Sequence, residues 1–324
     1  MNIGIFALQK LLGAIPLILG VTFISFVLMV YFGPDLTYEL LGKNPSAQDI
    51  AEIRQLLGYD QSFFSRYLLY LKELITLDFG MSMMKDQPVS HMLRQAIPVS
   101  LLLMIPGFIL GNILAIFLAL KATQFRGMWQ DKSIMTFSVT GMSISFLIVI
   151  ILFQIIFSSS YGFNWFPVRG WEVFDYEGGF SWVKYLSYVT VPTLATVFVA
   201  LGYNTRFYRA VLVEEVSKGY ITTAKAYGHR TPQIMYKYML KNAMVPIITR
   251  IMFSIPLVVI SGSLLIESYF GIPGIGLLTY DAITAGDQPI LKAVVGLTSV
   301  LFVLVLIGAE LLYKIFDPRI GKAS

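Results

Sequence analysis

From Gln95 to Leu120 the chain reads QAIPVSLLLMIPGFILGNILAIFLAL, with Arg94 before it, Lys121 after it and no formal charge between them. A membrane-crossing helix needs about 20 predominantly apolar residues at 1.5 Å rise each. This run meets that length despite Pro98 and Pro106. The same pattern recurs outward in both directions: charge is absent between Lys10 and Asp35, Lys132 and Arg169, Lys184 and Arg206, Arg250 and Glu267, and Lys292 and Glu310. The six runs predict an all-α polytopic membrane protein with transmembrane helices near 11–32, 98–120, 134–157, 188–209, 247–268 and 292–313.

Composition excludes the alternatives. Of the 324 residues, 56% are apolar or aromatic and 13% charged, with a mean hydropathy of +0.72. A soluble domain carries roughly 25% charged residues, and an outer-membrane barrel reads as short alternating strands. Cysteine is absent and histidine occurs only at 91 and 229, which rules out a disulfide framework, a thiolate metal site and a histidine-rich metal cluster. The first apolar run exceeds the roughly 7–15 residues of a signal-peptide core and is read as a retained span.

Lysine and arginine set the orientation. Loop 121–132 holds Lys121, Arg126 and Lys132 against Asp131; loop 206–241 holds seven bases against Glu214 and Glu215. Loops 33–97, 159–187 and 267–290 each have more acids than bases. Cytoplasmic loops retain positive charge, so both termini are expected in the cytoplasm and the acidic loops outside. No basic soluble module is present, and no nucleic-acid partner is expected.

The loops carry further punctuation. Residues 46–75 read as two amphipathic helices outside the bilayer: Ser46 and Asp49 have capping-box spacing, Ile50, Ile53, Leu56 and Leu57 share a face, and Gly58 suits the stop. The loop 159–187 is dense in aromatics, among them Tyr161, Trp165, Tyr176, Trp182 and Tyr185, as expected of an interfacial belt with ligand or docking contact as the alternative. In 206–241, Glu214-Glu215 favour a helix start, Gly228 a helix stop, and Thr231-Pro232 an N-cap with proline at N1. The expected result is a rigid helical hairpin in the cytoplasm. It serves either as a structured connection or as the element through which a separate motor moves the membrane part.

These residues resemble a family. Tyr220, Ile221, Thr222, Thr223, Ala224, Lys225, Ala226, Tyr227 and Gly228, followed by His229 and by Met239 to Pro246, are similar to the coupling segment of ABC importer permeases, with the Ala224, Gly228, Leu240, Pro246 spacing of the oligopeptide/dipeptide branch. Leu77 to Ser82 with Pro88-Val89, Trp165 to Val168, Glu267 to Gly276 (ESYFGIPGIG) and Asp317-Pro318-Arg319 extend the resemblance over nearly the whole chain. Thr222 stands where this branch usually has arginine, Tyr227 where it often has lysine and Tyr238 where it often has histidine.

The resemblance implies the type I importer permease fold, with 1–97 as first span and outer loop and 98–319 as permease core. It also implies a non-catalytic subunit, the first of a pair, in a bacterial-type inner membrane. The implied partners are a second homologous permease, two cytoplasmic ATPases and an external substrate-binding protein, with no cofactor on this chain. Tyr220 to Ala226, Gly228 and His229 would dock the ATPase. Oligopeptides or dipeptides are the implied cargo, oligosaccharides the alternative.

The residues themselves agree on the absence of a nucleotide site, since no G-x-x-x-x-G-K-[ST] occurs and the glycines near 271–276 lack the lysine. Gly271, Pro273, Gly274 and Gly276 read as a re-entrant turn that is either structural or part of an outer gate. Glu267 beside them either lines the path or is satisfied by backbone amides, while Arg250 and Glu310 are expected to extend their heads toward water. A secondary transporter would carry mid-span ionisable residues and an inverted repeat, and an intramembrane hydrolase would need paired aspartates or H-E-x-x-H. Neither pattern is found, which leaves a non-transporting membrane scaffold as the competing class.

Overall fold

The computed structural model describes residues 3–32, 46–56, 59–175 and 178–316. Gly58, Tyr176 and Asp317-Pro318-Arg319 lie outside these residues. Helices account for the architecture: α1 (Ile3–Phe32), α2 (Ala47–Leu56), α3 (Phe63–Thr76), α4 (Val89–Gln124), α5 (Trp129–Ser143), α6 (Phe146–Ser158), α7 (Trp182–Val216), α8 (Gly219–Ala226), α9 (Thr231–Leu257), α10 (Ser263–Phe270), α11 (Ile275–Ala285) and α12 (Gln288–Phe316). Among the described residues α4, α7, α9 and most of α12 are long and apolar enough to cross a membrane, and shorter apolar helical stretches run over Leu12–Leu28 and Ile275–Ala285.

The stretch expected as one span at 134–157 is two helices, α5 and α6, bent by 101°. Ile144 between them is extended (ψ 132°), which interrupts the hydrogen-bond ladder. The expected fifth span, 247–268, is also interrupted, by a π-helical turn at Val258–Gly262 that separates α9 from α10. Another π-helical turn, at Ile234–Met239, lies within α9 ahead of that span.

The chain divides into two compact units. The first comprises 1–97 with 278–307. In it α1 packs on α3 through Phe26, Tyr67 and Tyr70, with the Phe26 and Tyr70 rings stacked at 5.5 Å. Thr22 and Tyr67 share a hydroxyl hydrogen bond at 3.1 Å, and Tyr67 also donates to the Leu19 carbonyl. The capping box at α2 forms as read: the Ser46 N–H donates to Asp49 Oδ2 at 3.0 Å and the Asp49 N–H to Ser46 Oγ at 3.2 Å. The segment Leu77 to Ser82 is a built turn in which Leu77 adopts φ 55° and Ser82 donates to the buried Asp287 carboxylate at 2.5 Å.

The second unit comprises 98–277 with 308–324. Helices α4 and α7 approach closely where small residues face each other, Gly107 against Thr196 and Gly111 against Ala200. Four-residue spacing on both helices is the small-residue arrangement that lets backbones meet inside a membrane. The same contact buries a polar cluster in which Asn112 Oδ1 accepts from Tyr208 at 2.6 Å and Asn204 at 3.2 Å. Asp131 and Arg209 join α5 to α7 by two bonds of 2.6 Å each. Tyr185 is buried and donates to the Leu102 carbonyl at 2.8 Å, so it belongs to this core and not to an interfacial belt.

Candidate functional site: the hairpin after α7 and the turn after α10

The hairpin begins differently from the sequence expectation. Glu214 and Glu215 do not open a helix; α7 continues through them to Val216, and α8 starts at Gly219. Glu215 is buried and holds the elbow, with its carboxylate accepting from Lys218 Nζ and from the Tyr220 hydroxyl. That hydrogen bond from Lys218, together with the carboxylate charge, raises the lysine's pKa. Burial and then the Glu215 carboxylate raise that of Tyr220. Both donors therefore keep their protons at neutral pH.

Gly228 stops α8 as expected. Its φ is +78°, its N–H donates to the Lys225 carbonyl at 2.9 Å, and the His229 N–H donates to the Ala224 carbonyl at 3.2 Å. This bond pair is a Schellman turn with glycine in the left-handed position. The returning limb starts at Thr231, one residue earlier than read from the sequence, with Arg230 at the N-cap and Pro232 in the first turn. Tyr238 meets His229 Nε2 at 3.0 Å and ties the limbs together.

The residues expected to dock a motor separate by face. Ile221 and Ala224 are buried against Ile234, Met235 and Met239. Thr222, Thr223, Lys225, Ala226 and Gly228 are exposed, Tyr220 and His229 are half-buried, and Tyr227 is 80% exposed. An anchored stem with an exposed tip can transmit force through packing, because buried side chains have few alternative positions.

At the other candidate site, Glu267 is fully buried. Its Oε1 accepts from the Ser100 hydroxyl at 2.6 Å, and its Oε2 from the N–H groups of Gly276 at 2.6 Å and Leu277 at 3.2 Å. Ser100 Oγ in turn accepts the Ile275 N–H at 2.8 Å. The carboxylate thus collects the free amides that begin α11. Gly271 ends α10 at φ 65°, and a Cβ on Gly274 would overlap the Glu267 carboxylate and the Ser100 hydroxyl. Pro273 lies in the intervening turn. Arg169 donates to the Ser268 carbonyl at 3.3 Å, and the Gly170 N–H donates to Phe270 O at 2.8 Å, fastening the aromatic loop to the end of α10.

The sequence profile of the binding-protein-dependent transport system inner membrane component matches residues 111–322, and the profile of the corresponding N-terminal component matches 4–104. The chain belongs to this permease family. It is a multi-pass membrane component of a transport system of the inner membrane. Glutathione transport system permease protein GsiC of Salmonella paratyphi A is 30% identical over 97% of this chain and 98% of its own length. GsiC of Salmonella typhi has the same identity and coverage. A Brucella abortus (strain 2308) protein provisionally named a peptide transport system permease is 29% identical over 97% of this chain and 98% of its own. The permease family membership agrees with the resemblance read from residues 220–246 and 267–276.

Gly228, Ala224 and Glu267 were legible in the sequence, whereas Ser100 and Arg169 were not, because they act through contacts 167 and 99 residues away that no local periodicity marks.

Proposed function

We propose that the chain is one of two homologous permease subunits of an ATP-driven importer of oligopeptides or dipeptides. The observation that carries this reading is the anchored, exposed hairpin around Gly228 in a chain of the binding-protein-dependent permease family. Two cytoplasmic ATPases close on ATP, and the one beneath this subunit carries the tip of the hairpin with it. The Glu215 clamp and the buried Ile221 and Ala224 pass that displacement into α7 as a rigid-body movement. An external binding protein then releases its cargo into the opened path. Catalysis of hydrolysis lies wholly on the ATPases.

The peptide cargo is supported by relatives named for glutathione and peptide transport. The chain crosses the membrane six times, α1 and the bent α5–α6 pair each making one crossing, with both termini in the cytoplasm; loop charge supports this arrangement. The turn at Gly271, Pro273, Gly274 and Gly276, latched by Glu267, forms part of the outer gate.

Native mass spectrometry of the binding protein encoded with this permease tests the cargo. Bound peptides are expected, and a ligand set consisting only of saccharides would reject the peptide reading.

A further inference from the structure

A cavity of about 180 Å³ opens among α4, α7, α9 and the π-helical turn after α9. Its polar lining is Arg250, Asn112, Asn204, Ser254, Tyr203 and Thr196, set among Phe108 and other apolar side chains. Arg250 sits inside α9, a helix long and apolar enough to cross the membrane. The guanidinium lies over the Phe207 ring at 5.6 Å, and Nε is buried without a hydrogen-bond partner.

None of the residues lining the cavity is acidic. A cation within a membrane span is costly, and it persists where it faces a cavity or meets a partner. An unused N–H on a guanidinium fork suits a planar anion, since arginine binds carboxylates with two parallel bonds. The π-helical turn at Val258–Gly262 adds a second sign, because such turns concentrate at functional sites.

We propose that Arg250 binds a carboxylate of the peptide cargo during passage, with Asn112, Asn204 and Ser254 supplying neutral polar contacts around it. This rests on the peptide reading above. A small polar cluster in an otherwise apolar cavity orients a ligand without gripping its side chains, as a carrier of varied peptides requires.

The test uses the assembled transporter in proteoliposomes with its binding protein and ATP. Uptake is measured for trialanine, trialanine amide and Ala-Glu-Ala amide, for wild type and for Arg250→Met. The binding protein's own preference is common to both transporters and cancels in the comparison. In Arg250→Met, uptake of trialanine relative to its amide is expected to fall about tenfold, the loss of one charge-assisted contact. If the side-chain carboxylate is the one held, the ratio of Ala-Glu-Ala amide to trialanine amide falls instead, and the proposal stands with that source. Arg250→Gln reads the same ratios where Arg250→Met does not assemble. Ratios left unchanged by the substitution overturn the role of Arg250 alone. A wild-type transporter that carries none of the three peptides rejects the peptide reading and this site with it.

Discussion

Ser100 and Glu267 are separated by 167 residues in sequence and by 2.6 Å in space. The hydroxyl donates to the carboxylate and accepts the Ile275 N–H, so one small side chain links α4, α10 and the start of α11. Removing it takes one donor from a buried carboxylate and the Ser100 acceptor from a half-buried amide. Ser100→Ala is expected to cost about 1–3 kcal/mol, the loss of one donor to a buried carboxylate that keeps its bonds from Gly276 and Leu277. The melting temperature of the purified complex, read against wild type, checks it; an unchanged value would show that the latch contributes nothing.

Gly274→Ala addresses the same turn by a different route. A Cβ there overlaps both Glu267 and Ser100, whereas at Gly271 the nearest atom is Arg169 Nε at 3.5 Å. Gly274→Ala is therefore expected to lower thermal stability more than Gly271→Ala, whose penalty is the left-handed backbone alone, about 1–2 kcal/mol. Equal losses would contradict the close packing of Gly274.

The Asp131–Arg209 pair predicts a non-additive double-mutant cycle. Each single alanine variant leaves a largely buried charge without its partner, costing roughly 3–5 kcal/mol, while the double variant costs less than the sum of the two. Additive losses in chemical denaturation would mean that the pair is not coupled.

The elbow clamp predicts how the hairpin responds to pH. Because Glu215 raises the pKa of Lys218, the bond is present below the lysine's ordinary value of roughly 10.4 and is lost only as pH rises through the raised value. Protease protection of residues 217–230 should stay flat between about pH 6 and 9, and Glu215→Ala should remove it throughout that window. Protection that falls near pH 7 in the wild type would contradict the clamp.

Much of this architecture was legible because it is local. Charge-free runs mark the helices, and Gly228 and the Ser46–Asp49 spacing mark a stop and a start that both form. Other features depend on contacts that sequence distance hides. The bend at Ile144 and the π-helical turn at Val258–Gly262 lie inside runs that no charge interrupts. Glu214 and Glu215 look like a helix start by charge, yet Glu215 is retained at the end of α7 because Lys218 and Tyr220 neutralise and bond it. The Phe207 ring and the cavity beside Arg250 are likewise contacts that no local pattern marks.

In the proposed function the hairpin couples this permease to an ATPase, and Gly228→Val probes that coupling at its turn. A Cβ at Gly228 meets no atom within 4 Å, so the substitution acts chiefly by straining the φ +78° turn. The measurement is the amount of ATPase copurifying with matched amounts of permease, together with cargo-stimulated ATP hydrolysis in proteoliposomes. Coupling through the hairpin predicts normal membrane insertion and normal pairing with the second permease, but reduced ATPase retention or reduced stimulation. Wild-type retention and wild-type stimulation in Gly228→Val would contradict it.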